Sequence, residues 1–206
     1  MDLTLYITTF VTLFVIIDPI GLSPIFVALT PGMSAQDRRR VAMRALFVAA
    51  VLLTLFGLVG DTLLNAVGIS LSAFRIAGGM LLFLTALDML FERRTERREG
   101  QADSAPPAND PSVFPLAMPL IAGPGALASM ILLVGEGQGV GHIVMVHLVM
   151  LSVLAIAMVF FMLATPLARA LGRTGTMVVT RLLGMLLAAL SVQFVIDGIK
   201  GSGLIG

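Results

Sequence analysis

Six apolar runs, each about as long as a bilayer is thick when helical, leave this chain little choice of fold. They cover roughly residues 3 to 29, 41 to 60, 70 to 91, 113 to 134, 142 to 166 and 177 to 198. Hydrocarbon offers no partner to a backbone N–H or C=O, so runs of this length must satisfy their hydrogen bonds internally, as helices. Composition agrees: 58% of the 206 residues are hydrophobic, 12% are charged and the mean hydropathy is +1.03. The expected class is an all-α membrane protein with six transmembrane helices. The chain has no cysteine, which removes disulfide and thiolate chemistry. No cleavable signal is expected, because Met1-Asp2 precedes the first run with no basic stretch.

The first run is too long for one straight crossing. Its 27 positions would reach about 40 Å against a hydrocarbon core of about 30 Å. It also contains Asp18-Pro19-Ile20-Gly21. A carboxylate is expensive at that depth, the proline lacks a backbone donor, and the glycine makes departure from helical geometry cheap. The fourth run carries a second interruption, Gly123-Pro124-Gly125-Ala126. Helices 1 and 4 are therefore expected to be broken near mid-membrane. Irregular backbone survives there only against protein or a watery cavity, so the two breaks point to a polar ligand.

Arginine sets the orientation. Arg38, Arg39, Arg40 and Arg44 follow run one, Arg93, Arg94, Arg97 and Arg98 follow run three, and Arg169 and Arg173 follow run five. Alternating loops share a side, and the positive-inside rule makes this side cytoplasmic, with both termini outside. Residues 92 to 112, polar and ending in Ser104-Ala105-Pro106-Pro107-Ala108-Asn109-Asp110, read as a flexible cytoplasmic linker. The linker separates repeat 1, residues 1 to 91, from repeat 2, residues 113 to 206. Three spans per half make the halves inverted. An offset of 106 residues lays Arg75 on Arg181 and Gly78 on Gly184, and one of 105 lays Pro19 on Pro124. Paired interruptions in inverted halves are the strongest sequence pointer to a secondary transporter's binding site.

The site expected from these patterns comprises Asp18, Pro19, Ile20, Gly21, Gly123, Pro124, Gly125 and Ala126. Asp18 could hold a substrate amine, a coupling ion or a proton, or cap the half-helix that follows, and the roles are compatible. The second break offers only backbone groups, suited to an anionic group such as a carboxylate. Arg75 and Arg181 could close gates or neutralise Asp18, Asp88 and Asp197, the alternative being side chains that snorkel to the interface. His142 and His147 lie five apart and do not share a helix face, so no metal site is indicated. No cofactor and no nucleic-acid partner are expected. A coupling proton or sodium ion, the lipid bilayer and a second copy of the chain are the remaining candidates.

The motifs Asp18-Pro19-Ile20-Gly21-Leu22-Ser23-Pro24-Ile25-Phe26, Phe74-Arg75-Ile76-Ala77-Gly78-Gly79, Pro119-Leu120-Ile121-Ala122-Gly123-Pro124-Gly125-Ala126 and Gln193-Phe194-Val195-Ile196-Asp197-Gly198 run through the whole chain in that order. In them the chain resembles the MarC/SnatA (UPF0056-type) family of six-span inner-membrane proteins. That resemblance implies an inverted-repeat fold with discontinuous first and fourth helices. It also implies kinship with transporters of small neutral amino acids such as glycine and alanine, driven by an ion gradient. The expected function is accordingly secondary transport of a small neutral amino acid, not catalysis. Export of drugs or metabolites, or a membrane role without transport, is the alternative. An exporter of bulky compounds calls for a cavity rimmed with aromatics, and this chain has no tryptophan and a single tyrosine, Tyr6.

Overall fold

A computed structural model of the chain describes residues 3–103, 110–137 and 139–203. Met1-Asp2, Ser104–Asn109 of the expected linker and Gln138 of the loop before span five lie outside the described residues. Helices α1 (Leu3–Ile17) and α2 (Pro19–Leu29) continue one another as the first crossing. Then come α3 (Ala35–Ala66), α4 (Leu71–Leu90) and α5 (Arg93–Asp103). A lead-in segment, Ser112–Ile121, precedes α6 (Pro124–Gly135), and α7 (Val140–Met162) and α8 (Ala164–Gly201) close the chain. Among the described residues five helical spans are long and apolar enough to cross a membrane, and the lead-in segment with α6 makes the sixth.

Span one is the centre of the molecule. In its most apolar window 67% of the residues are buried, against 28% for α4, α7 and α8. The outer faces of those helices expose Met80, Leu84, Val144, Leu148, Leu182 and Met185, as a lipid solvent permits. The longest packed seam joins α4 to α8. Glycine allows the approach: a Cβ on Gly79 would stand 2.8 Å from the Ser191 carbonyl, and one on Gly198 would stand 2.9 Å from that of Ser72. Gly184 faces the Ala86 carbonyl and the Leu90 N–H. Rising numbers on α4 thus meet falling numbers on α8, and the two helices run antiparallel at backbone contact.

The loops sort to two ends, as the arginine pattern predicts. At one end Arg38 donates to Thr165 Oγ1 at 3.0 Å and Arg44 pairs with Asp110, which joins the starts of α3 and α8 to the end of the linker. At the other end Gly135 packs on Leu71, and Tyr6 lies 6.5 Å from His142 between ring centroids.

Two expectations need correction. The stretch read as a flexible linker contains α5, an eleven-residue helix packed against α2 and α4. Span four is broken over far more than Gly123-Pro124. The lead-in segment holds Pro115 and Pro119, and the residues before them, Phe114 (φ −126°, ψ 127°) and Met118 (φ −130°, ψ 123°), are extended. A proline disfavours helical geometry in its predecessor and offers no N–H of its own, so two of them four residues apart prevent a regular helix. The segment then meets α6 at 57°.

Candidate functional site

The break in span one is a single residue wide. Asp18 takes left-handed geometry, φ 53° and ψ 66°, which short polar side chains tolerate better than other non-glycine residues. Helical bonding resumes on each side: Asp18 N–H donates to Phe14 O at 2.8 Å and Leu22 N–H donates to Asp18 O at 3.0 Å. Asp18 Oδ1 accepts from Gly21 N–H at 3.0 Å, so the capping role is met. Gly21 leaves the room that the capping carboxylate fills, since a Cβ there would overlap the Asp18 side chain.

The other carboxylate oxygen is taken by a residue the sequence did not place at the site. Arg98 of α5 donates from Nη1 to Asp18 Oδ2 at 3.1 Å and from Nη2 to Ile17 O at 3.2 Å. Beside it Arg94 donates to Ile16 O and approaches Met89 Sδ at 2.7 Å. Two guanidinium groups therefore satisfy carbonyls that the end of α1 leaves unpaired, as basic side chains do at helix C-termini. The Arg98 side chain is 7% exposed and that of Asp18 is 1% exposed. Burial lowers both arginine values from the ordinary one, reinforced at Arg94 by the charge of Arg98, while Asp18 pulls the other way. A signal for this was present in the charge pattern. Arg94 and Arg98 lie four apart on one side of a helix, and Glu92, Glu96 and Glu99 share the other.

The second break sits against the first. A Cβ on Gly125 would stand 3.7 Å from the Ile16 side chain, 3.5 Å from Leu82 and 3.8 Å from Thr85 Oγ1. Gly123, extended at φ −76° and ψ 170°, precedes α6 without a side-chain cap, and its missing Cβ leaves room for the Pro119 carbonyl. Leu127 N–H is bonded to Gly123 O, which leaves the N–H groups of Gly125 and Ala126 without an acceptor among the described residues. Gly125 and Ala126 are buried, Gly123 is half-buried and Pro124 is exposed. Of the first-break residues Asp18, Pro19 and Gly21 are buried and Ile20 is half-buried.

Arg75 and Arg181 do not reach the breaks or one another. Arg75 faces Glu136 at 3.8 Å at the end away from the arginine loops, and Arg181 pairs with Glu92 at the arginine-rich end. Burial raises the Glu136 carboxyl above its ordinary value, with Arg75 opposing. The acids that these arginines might have neutralised have other partners: Asp18 has Arg98, Asp88 has Arg97 at 2.8 Å, and Asp197 accepts from Gln193 at 2.9 Å. His142 and His147 donate to the carbonyls of Leu133 and Ile143, and no metal-binding cluster occurs among the described residues.

A cavity of about 500 Å³ opens between α2, α5 and α8. Its walls include Gly21, Ile25, Glu96, Glu99, Arg173 and Thr180, and no aromatic residue among the described residues. It ends one hydrogen bond away from the Asp18 carboxylate, through Gly21.

The chain that carries this broken first span and bent fourth span has known relatives by sequence. The model of the MarC family of integral membrane proteins matches residues 3–202. The chain belongs to the MarC family. Among its relatives, a UPF0056 membrane protein of Archaeoglobus fulgidus is 38% identical over 201 residues, covering 96% of this chain and 93% of that protein. One from Methanocaldococcus jannaschii is 36% identical over 205 residues, covering 98% and 99%. The Escherichia coli UPF0056 membrane protein YhcE is 33% identical over 202 residues, covering 97% and 94%. Those names state a membrane protein and no substrate. No solved structure matches the chain. Membership of the MarC family makes this an integral, multi-pass membrane protein, in agreement with its five crossings and bent pair.

Proposed function

We propose that this MarC-family protein is a secondary transporter of a small neutral amino acid, coupled to a proton or sodium gradient, and not an enzyme. The observation that carries the reading is the meeting of two interrupted spans in the protein interior, with Gly125 of one against Ile16 of the other. The ammonium group would be held at Asp18, and the carboxylate at the free amides of Gly125 and Ala126. The small residues Gly125 and Ala126 at the second break favour a small substrate. In this reading the arginine-rich end is cytoplasmic, both termini are outside, the two halves are inverted repeats, and Arg75 and Arg181 close opposite ends. The cavity's lack of aromatic lining speaks against export of bulky apolar compounds.

The test is uptake of labelled glycine and alanine into liposomes, with proton and sodium gradients imposed separately. Uptake is expected under one gradient, and Asp18→Asn and Gly125→Leu should abolish it while the protein stays monodisperse. Full activity in both variants would refute the site. Absence of uptake of either amino acid under either gradient would refute the function.

A further inference from the structure

Asp18 poses a question that the transport reading leaves open. A site meant for a cation is already filled by one. Arg98 reaches it from 80 positions away, is buried with it, and also takes the Ile17 carbonyl, while Arg94 holds Ile16 O one turn earlier on α5. A guanidinium offers planar N–H donors to a carboxylate and a carbonyl. A small primary ammonium offers three donors and can meet the same two acceptors. The opposite face of α5 is acidic and borders the cavity: Glu92 pairs with Arg181, whereas Glu96 and Glu99 pair with no cation among the described residues. Within that cavity Thr180 is 6% exposed. Arg173 also lines the cavity, but three carboxylates, Glu92, Glu96 and Glu99, outnumber it, and a cation drawn in by them arrives at Gly21, adjacent to Asp18.

We infer that Arg98 is a built-in ligand occupying the cation position of the Asp18 break, and that α5 is a plug displaced when a small primary ammonium takes that position. The identity of the natural cation as an amino acid's ammonium rests on the transport reading; the exchange itself does not. An uncompensated buried carboxylate is costly, so the arginine leaves only as another cation enters. The plug therefore couples opening of the arginine-rich end to occupancy of the site.

The helix carries its own reporter, because Arg93, Arg94, Arg97 and Arg98 are trypsin sites. The full chain in lipid nanodiscs, where both faces are accessible, is treated briefly with trypsin, and cleavage within α5 is followed by mass spectrometry. Methylammonium chloride should speed that cleavage, whereas tetramethylammonium chloride at the same concentration should not, having no N–H to donate. Asp18→Asn should cleave about tenfold faster or more without any added amine, since proteolysis follows the population of the released helix. Arg98→Gln, which keeps three of the four sites, should do the same, and methylammonium should add nothing in either variant. Equal rates in wild type and both variants would overturn the latch. Fast variants with a wild type indifferent to methylammonium would overturn the exchange and reduce the pair to structure. Release by methylammonium in a protein that takes up no amino acid would leave this inference standing and remove the transport reading.

Discussion

What a charge contributes depends on what is left behind when its partner goes. Arg98→Ala would leave Asp18 buried and unpaired, a loss of about 3–5 kcal/mol by the usual cost of orphaning one member of a buried pair. Arg181→Ala removes an arginine whose side chain is 49% exposed from a glutamate that is 35% exposed, and should cost under about 1 kcal/mol. Thermal or denaturant unfolding in one detergent, with both variants side by side, measures the contrast, and similar losses would mean that α5 does not bury Arg98. Gly21→Ala should cost about 1–3 kcal/mol, because the new methyl meets the capping carboxylate, whereas Gly141→Ala, which has open space, should be nearly neutral. These residues also mark how far a sequence can be read. The break at Asp18-Pro19 follows from proline's missing donor and is visible locally. The partner of Asp18 is not, because nothing near residue 18 encodes a contact with residue 98.

Elements fail or survive by what their neighbours permit. α4 and α8 touch at backbone distance because Gly79, Gly184 and Gly198 leave no side chain between them. Gly79→Leu should drive the pair apart and abolish recovery of monodisperse protein on size-exclusion chromatography, whereas Gly141→Ala on α7, with nothing within 4 Å of its added carbon among the described residues, should be recovered normally. The Arg-x-x-Gly match between Arg75 and Arg181 is visible in the sequence, yet its two glycines pack differently: Gly184 meets Met89 and the Ala86 carbonyl of α4, whereas Gly78 meets Leu132 of α6. The antiparallel contact of α4 with α8 needed the fold. The lead-in segment was the least legible element. Its apolar composition gives it the look of a span, and Pro115 and Pro119 were absorbed into that pattern although each removes a helical bond. α5 was hidden for the opposite reason: it is so polar that its composition resembles a solvated linker, and its order comes from two arginines inserted into another helix's break.

At the scale of the whole molecule, the division of loops between two ends makes a prediction that needs no substrate. Since the chain has no cysteine, a single introduced thiol reports its side unambiguously. Gln36→Cys lies at the arginine-rich end and Val67→Cys at the other, and both positions are exposed. In spheroplasts a membrane-impermeant maleimide should label Val67→Cys and spare Gln36→Cys, and inside-out vesicles should reverse the pattern; the opposite result would invert the orientation proposed above. The six-run count could be read from sequence because hydrocarbon imposes it on every residue of a span. The direction of the fourth crossing could not. A path that turns by 57° gains less end-to-end length than a straight helix of the same number of residues. In the transport reading proposed above, such a foreshortened wall is where a polar cargo has the least distance to go.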